Sequence, residues 1–167
     1  NAPKYYKKAA DKGDVDFMYI YSEFAEDKEE SMKYLKKAAD NGHTIAQVKY
    51  GSIIINDIEM PYYQEESKKY FKMAADDGNV EAVFLYGKVL KYFANTKEEI
   101  DEANQYIKKA ADEGSFKAMY EYGLMNMNGD EIPLNINTGV EYIKTAAENG
   151  DIQAMYFYSK ILSKGEG

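Results

Sequence analysis

The chain has no cysteine, no arginine and a single histidine among its 167 residues. Without cysteine there is no disulfide framework and no thiolate metal site. Without arginine the usual bidentate reader of phosphate, carboxylate and guanine is missing. The lysines are outnumbered by acidic residues, 21 to 29, for a net charge of −8. An acidic, arginine-free surface argues against a nucleic-acid or phosphopeptide partner. Apolar runs such as Ile53-Ile54-Ile55 are far too short to span a bilayer, and no signal peptide is visible. Membrane insertion is therefore not expected. Cysteine usage is compatible with the cytosol, the compartment favoured here, but does not fix it. The opening Asn1-Ala2 and a start in mid-repeat read as an excised piece of a longer protein.

What is present is a nine-residue motif in five copies. Tyr106-Ile107-Lys108-Lys109-Ala110-Ala111-Asp112-Glu113-Gly114 has counterparts ending at Gly13, Gly42, Gly78 and Gly150, so the steps are 29, 36, 36 and 36. A fixed period of this size marks an array of stacked repeats. Lysines and alanine pairs favour helix, and the glycine supplies the left-handed residue that ends it. Asp14, Asn79, Ser115 and Asp151 follow the glycines directly and are N-cap residues; His43 takes that place in the second copy. One helix therefore gives way to the next within two or three residues.

The following helix has its own register. Eight residues past each glycine stands a tyrosine (Tyr21, Tyr50, Tyr86, Tyr122, Tyr158), and nine past it a small residue (Ser22, Gly51, Gly87, Gly123, Ser159). Glycine inside a helix costs about 1 kcal/mol relative to alanine. Close approach of the paired helix is the expected reason, with Ala-Ala as its flat surface. Met60-Pro61 and Ile132-Pro133 lie in longer connections, and Asn128-Gly129-Asp130-Glu131 has turn chemistry. In the first repeat the chain turns through Glu26-Asp27 straight into the next helix. The pattern predicts ten helices, near 3–12, 14–26, 28–41, 43–56, 63–77, 79–93, 98–113, 115–127, 137–149 and 151–163, with no strand. The fold class is all-α.

No constellation for catalysis emerges. His43 has no sequence partner for metal or proton transfer, and a capping or solvated role fits it better. The carboxylate pairs Asp76-Asp77, Glu98-Glu99 and Asp112-Glu113 recur at helix ends and starts, as solvated residues do. Asn126-x-Asn128-x-Asp130 lacks the glycine and bidentate glutamate of a calcium loop. Nothing matches a phosphate-binding loop or a Ser-x-x-Lys pair. The chain reads as a non-enzyme with no cofactor and no metal.

Ala118…Tyr122-Gly123, then Asn128-Gly129-Asp130-Glu131-Ile132-Pro133, then Tyr142…Ala146-Ala147-Glu148-Asn149-Gly150 resembles the Sel1-like repeat, a relative of the tetratricopeptide repeat. The resemblance runs from Tyr5 to Gly165-Glu166-Gly167, which would open a further loop. Tyrosine stands where the family has leucine before the small residue, and where it has tryptophan before Lys-x-Ala-Ala. The resemblance implies a right-handed α/α superhelical solenoid of about five helix pairs, one array over 1–167. It also implies an adaptor or scaffold role for protein or peptide partners.

By the same resemblance, Tyr19, Val48, Phe84, Tyr120 and Tyr156, six residues past each glycine, face the concave side. Lys88, Lys91, Leu124, Met127, Lys160 and Lys164 join them there. The residues taken as partner-binding are Tyr19, Val48, Phe84, Lys88, Tyr120, Leu124, Tyr156 and Lys160. Aromatic anchors flanked by lysines suit an acidic peptide with apolar anchors. Packing between successive repeats is the competing role for the same aromatics. The alternative function is a structural spacer or regulatory tail of a larger protein, self-associating through uncapped ends.

Overall fold

The structure, a computed structural model, describes residues 2–56 and 61–164, the side chains of Pro61 and Lys164 apart. Its helices are α1 (Ala2–Asp11), α2 (Val15–Phe24), α3 (Lys28–Asp40), α4 (Thr44–Ile54), α5 (Pro61–Asp76), α6 (Val80–Phe93), α7 (Lys97–Asp112), α8 (Phe116–Asn128), α9 (Ile136–Glu148) and α10 (Ile152–Lys164). Among the described residues there is no strand. The chain forms two compact units, 1–82 and 83–167. Met60 and Gly165–Gly167 lie outside the described residues; Pro61 opens α5.

Each motif glycine takes a positive φ: 97° at Gly13, 87° at Gly42, 84° at Gly78, 101° at Gly114 and 92° at Gly150. The bend is closed by the motif's own alanines. At Gly42 its N–H donates to Ala39 O (3.1 Å) and the next N–H, of His43, to Ala38 O (3.0 Å). The same pair recurs at Gly114, to Ala111 and Ala110, and at Gly150, to Ala147 and Ala146. Two of the four orphan carbonyls of each helix end are thereby satisfied. The residue after each glycine then caps the next helix: Asp14 accepts from Phe17 N, Asn79 from Ala82 N, Ser115 from Ala118 N and Asp151 from Ala154 N. The predicted ranges begin at these caps, one residue before the helices themselves, at Val15, Val80, Phe116 and Ile152.

The small residues of the second helix do face a close neighbour, but it is not the helix before the bend. A Cβ on Gly123 would lie 2.6 Å from Ile143 Cγ1 and 2.9 Å from Gly139 O, both in α9. One on Gly87 would meet Tyr106, Ala103 O and Ile107 of α7, and one on Gly51 the ring of Phe71 in α5. The close partner is the helix after the longer connection, touched upstream of its alanine pair. The reason is polar as well as steric: Ser31 Oγ donates to Ser22 O and Ser67 Oγ to Gly51 O (2.7 Å) at this contact.

In the first unit the core gathers Tyr21, Tyr34, Leu35, Ala38, Ala39, Ala46, Tyr50, Ile54 and Tyr70. In the second, Ile107, Ala110, Ala111 and Ala118 are fully buried, and Ile143, Ala146 and Ala154 pack with Met119, Leu124, Met127 and Phe157. Burying one large aliphatic side chain such as Ile107 or Ile143 is worth about 1.5–3 kcal/mol.

Candidate partner-binding surface

The tyrosines eight past each glycine are consumed by the fold. Four of the five meet the leading tyrosine of the next motif edge to face: Tyr21 with Tyr34 (4.8 Å), Tyr50 with Tyr70 (5.1 Å), Tyr86 with Tyr106 (4.8 Å) and Tyr122 with Tyr142 (5.2 Å). In three of these pairs the leading tyrosine donates its hydroxyl to the motif acid one repeat back: Tyr34 to Asp11, Tyr70 to Asp40, Tyr142 to Asp112. The third motif residue, lysine, lies over the pair. Lys36 Nζ is 5.3 Å from both the Tyr50 and Tyr70 rings and donates to Tyr70 and Glu66. Burial alone would lower the Lys36 pKa; the bonds to Glu66 and Tyr70 outweigh it, and the net shift is upward.

The residues six past each glycine have fewer obligations. In the first unit Tyr19 is half-buried and stacks on His43, with centroids 4.5 Å apart and planes at 26°. Val48 is half-buried, beside the Lys49–Glu23 pair at 2.6 Å. In the second unit Phe84 is 8% exposed and Tyr156 64%. Phe84 thus offers a ligand little area, while Tyr156 offers most of its ring. Tyr120 packs edge to face on Phe157 at 6.2 Å, and its pKa is raised by burial first and by Glu121 second. Leu124 and Met127 pack against Ile143, Ala146 and Ala154.

The lysines of this surface are mostly spoken for. Lys88 pairs with Glu121 at 2.6 Å and Lys91 with Glu131. Lys160 lies 4.3 Å over the Tyr156 ring. The side chain of Lys164 lies outside the described residues. Glu121, Leu124, Asn128, Asp130 and Glu131 line a depression of about 190 Å³ around Lys91. Glu131 belongs to the turn read from the sequence, but neither glutamate is expected there as a lysine partner. Glu121 lies 33 residues from Lys88, so no local spacing announces the pair.

Among the described residues no group of three or more His, Asp or Glu side chains could hold a metal ion. Asn126, from the imperfect calcium-loop spacing, is buried and donates to Tyr122 O at 2.8 Å. No described helix is long and apolar enough to cross a membrane.

The Sel1 repeat family model matches residues 2–14, 18–43 and 116–151, and that of plant tetratricopeptide repeats matches 55–133. No curated protein matches the sequence. Among solved structures, a Sel1 repeat protein from Oxalobacter formigenes is 26% identical with a TM-score of 0.86, over 98% of this chain and 70% of that one. A protective antigen of uropathogenic Escherichia coli strains, displaying an SLR fold, is 17% identical with a TM-score of 0.81; 98% of this chain aligns with 36% of that one. Cysteine rich protein B of Helicobacter pylori is 13% identical with a TM-score of 0.63, over 79% of this chain and 98% of that one. With the last two the likeness is one of fold.

Proposed function

Sel1 repeats in an all-helical solenoid fold build this chain, and from that premise we propose that it is a non-catalytic protein-interaction module. Such repeats generally mediate protein–protein contact. The observation that carries the reading is the contrast along the second helices. Tyr21, Tyr50, Tyr86 and Tyr122, eight past the first four glycines, are locked into ring pairs, whereas Tyr156, in the neighbouring register, keeps 64% of its surface. An exposed aromatic under an ammonium offers apolar area with a charged rim, the composition of a binding hot spot.

Within this reading Tyr156, Lys160 and the open edge of Tyr120 form the contact surface of the second unit, and Tyr19 and Val48 that of the first. Phe84 supports the scaffold from inside. The partner is a protein or peptide with apolar anchors, and acidic residues in it would meet Lys160 rather than the paired Lys88 and Lys91. The test is a pull-down with the wild-type chain, then titration of the retained partner against Tyr156→Ala/Lys160→Ala. Affinity should fall at least tenfold, about 1.4 kcal/mol, with the helical signal unchanged. Equal affinity of the two proteins would remove this surface from consideration.

A second reading, a spacer that self-associates, is favoured by the exposure of Ile152 (81%) and Leu162 (56%) on α10. Sedimentation velocity over a range of concentrations separates the two, since a monomeric binder shows no concentration dependence.

A further inference from the structure

Four of the five bends use Asp, Asn or Ser as the cap of the second helix. The other uses His43, whose Nδ1 accepts the Ala46 N–H at 3.1 Å. An imidazole nitrogen can accept only while it carries no proton, so the ring is the neutral tautomer with hydrogen on Nε2. Nε2 is 3.8 Å from Asp16 Oδ1, beyond hydrogen-bond reach. The ring is stacked on Tyr19. Among the described residues Asp16 is the charged group that faces it from α2, and the first turn of α4 holds no acid.

We propose that His43 is a proton-operated cap, closing the start of α4 when neutral and exchanging Ala46 for Asp16 when protonated. Taking up a proton at Nδ1 turns the acceptor into a donor that confronts the Ala46 N–H. The new positive charge also sits at the positive end of the α4 dipole. Both effects oppose the present arrangement, and only the exposed Asp16 carboxylate draws the charged ring away. Histidine is the side chain that changes charge between about pH 5 and 8, and neither Asn79 nor Ser115 has such a group in the same place. Tyr19 would sense the exchange directly, because its ring lies against the one that becomes charged.

The inference goes beyond the interaction reading and does not depend on it, since its readouts are Ala46 and Tyr19 rather than a partner. Amide exchange and ring resonances are followed by NMR on the whole chain between mildly alkaline and mildly acidic pH. The protection factor of Ala46, corrected for intrinsic exchange, should drop about fivefold on acidification, the scale of a lost N-cap. The Tyr19 ring should shift with the same midpoint. His43→Asn, which restores the residue used at Asn79, should keep Ala46 protected throughout and abolish the Tyr19 transition. Asp16→Asn removes the carboxylate that receives the charged ring and should shrink the Tyr19 ring shift. Constant Ala46 protection in the wild type, or a transition that survives in His43→Asn, overturns the proposal.

Discussion

The phenol of Tyr142 donates a 2.6 Å hydrogen bond to Asp112, the acid in the preceding copy of its own motif. Tyr70 and Tyr34 make the same bond to Asp40 and Asp11. The motif's first and seventh residues are thus two halves of one contact, completed only when repeats are adjacent. Removing the hydroxyl should cost stability without disturbing ring packing. Tyr142→Phe leaves Asp112 with Lys108 and should cost about 1 kcal/mol. Tyr70→Phe also deprives Lys36 of an acceptor and should cost about 2 kcal/mol. Urea unfolding of each variant measures the difference; equal, negligible losses would show that the rings alone hold the repeats.

Those tyrosines set an alkaline limit. Tyr34 is raised to about 12, by its bond to Asp11 first and burial second. Tyr70 and Tyr142 are raised to about 12 by burial first and then by Asp40 and Asp112. The folded value lies above the ordinary 10, so the unfolded chain loses these protons first. Their contribution is complete below pH 10 and fades as pH rises towards 12. The thermal midpoint should therefore be nearly flat from about pH 8 to 10 and fall steeply above it. The triple Phe variant should show a shallower fall.

Gly123 and Gly51 occupy the same register but should respond differently to alanine. Alanine gains about 1 kcal/mol of helix propensity at either site. At Gly123 the new methyl would meet Ile143 at 2.6 Å and the Gly139 carbonyl at 2.9 Å, an overpacking that costs about 1–3 kcal/mol. At Gly51 the nearest atoms are those of the Phe71 ring, at 3.0 Å and beyond, with no backbone among the closest. Gly123→Ala should lower the unfolding midpoint and Gly51→Ala should leave it nearly unchanged.

Asn104 is 4% exposed in α7, and neither Oδ1 nor Nδ2 has a hydrogen-bond partner. The equivalent residues ten before Gly42 and Gly150 are Met32 and Val140. Removing a buried, unpartnered amide should stabilise the fold, so Asn104→Val is expected to gain about 1–2 kcal/mol. A loss in calorimetry would mean the amide is satisfied in solution.

Most of the fold could be read in advance because its signals are local. The glycine that ends each motif helix needs only the residues around it, and so does the cap that follows; even His43 declared itself by position. What stayed hidden was carried by contacts across repeats. The fixed place of Tyr50 was plain, but not that its ring meets Tyr70. Gly123 demanded a close neighbour, yet nothing nearby said that Gly139 rather than an alanine pair would supply it. The candidate surface was the least legible part. Phe84 and Tyr156 share a register, and burial alone separates them.

The hydroxyl-to-acid bonds connect residues 23 or 30 positions apart. Links that short carry a small loop-closure cost and favour rapid folding. They also make length a negotiable property: excising one whole period, such as 115–150, would bring Glu113-Gly114 up to Asp151 and leave the Tyr34–Asp11 and Tyr70–Asp40 bonds as they are. A lineage built this way can grow or shrink in steps of a hairpin while leaving the grammar of its joints untouched.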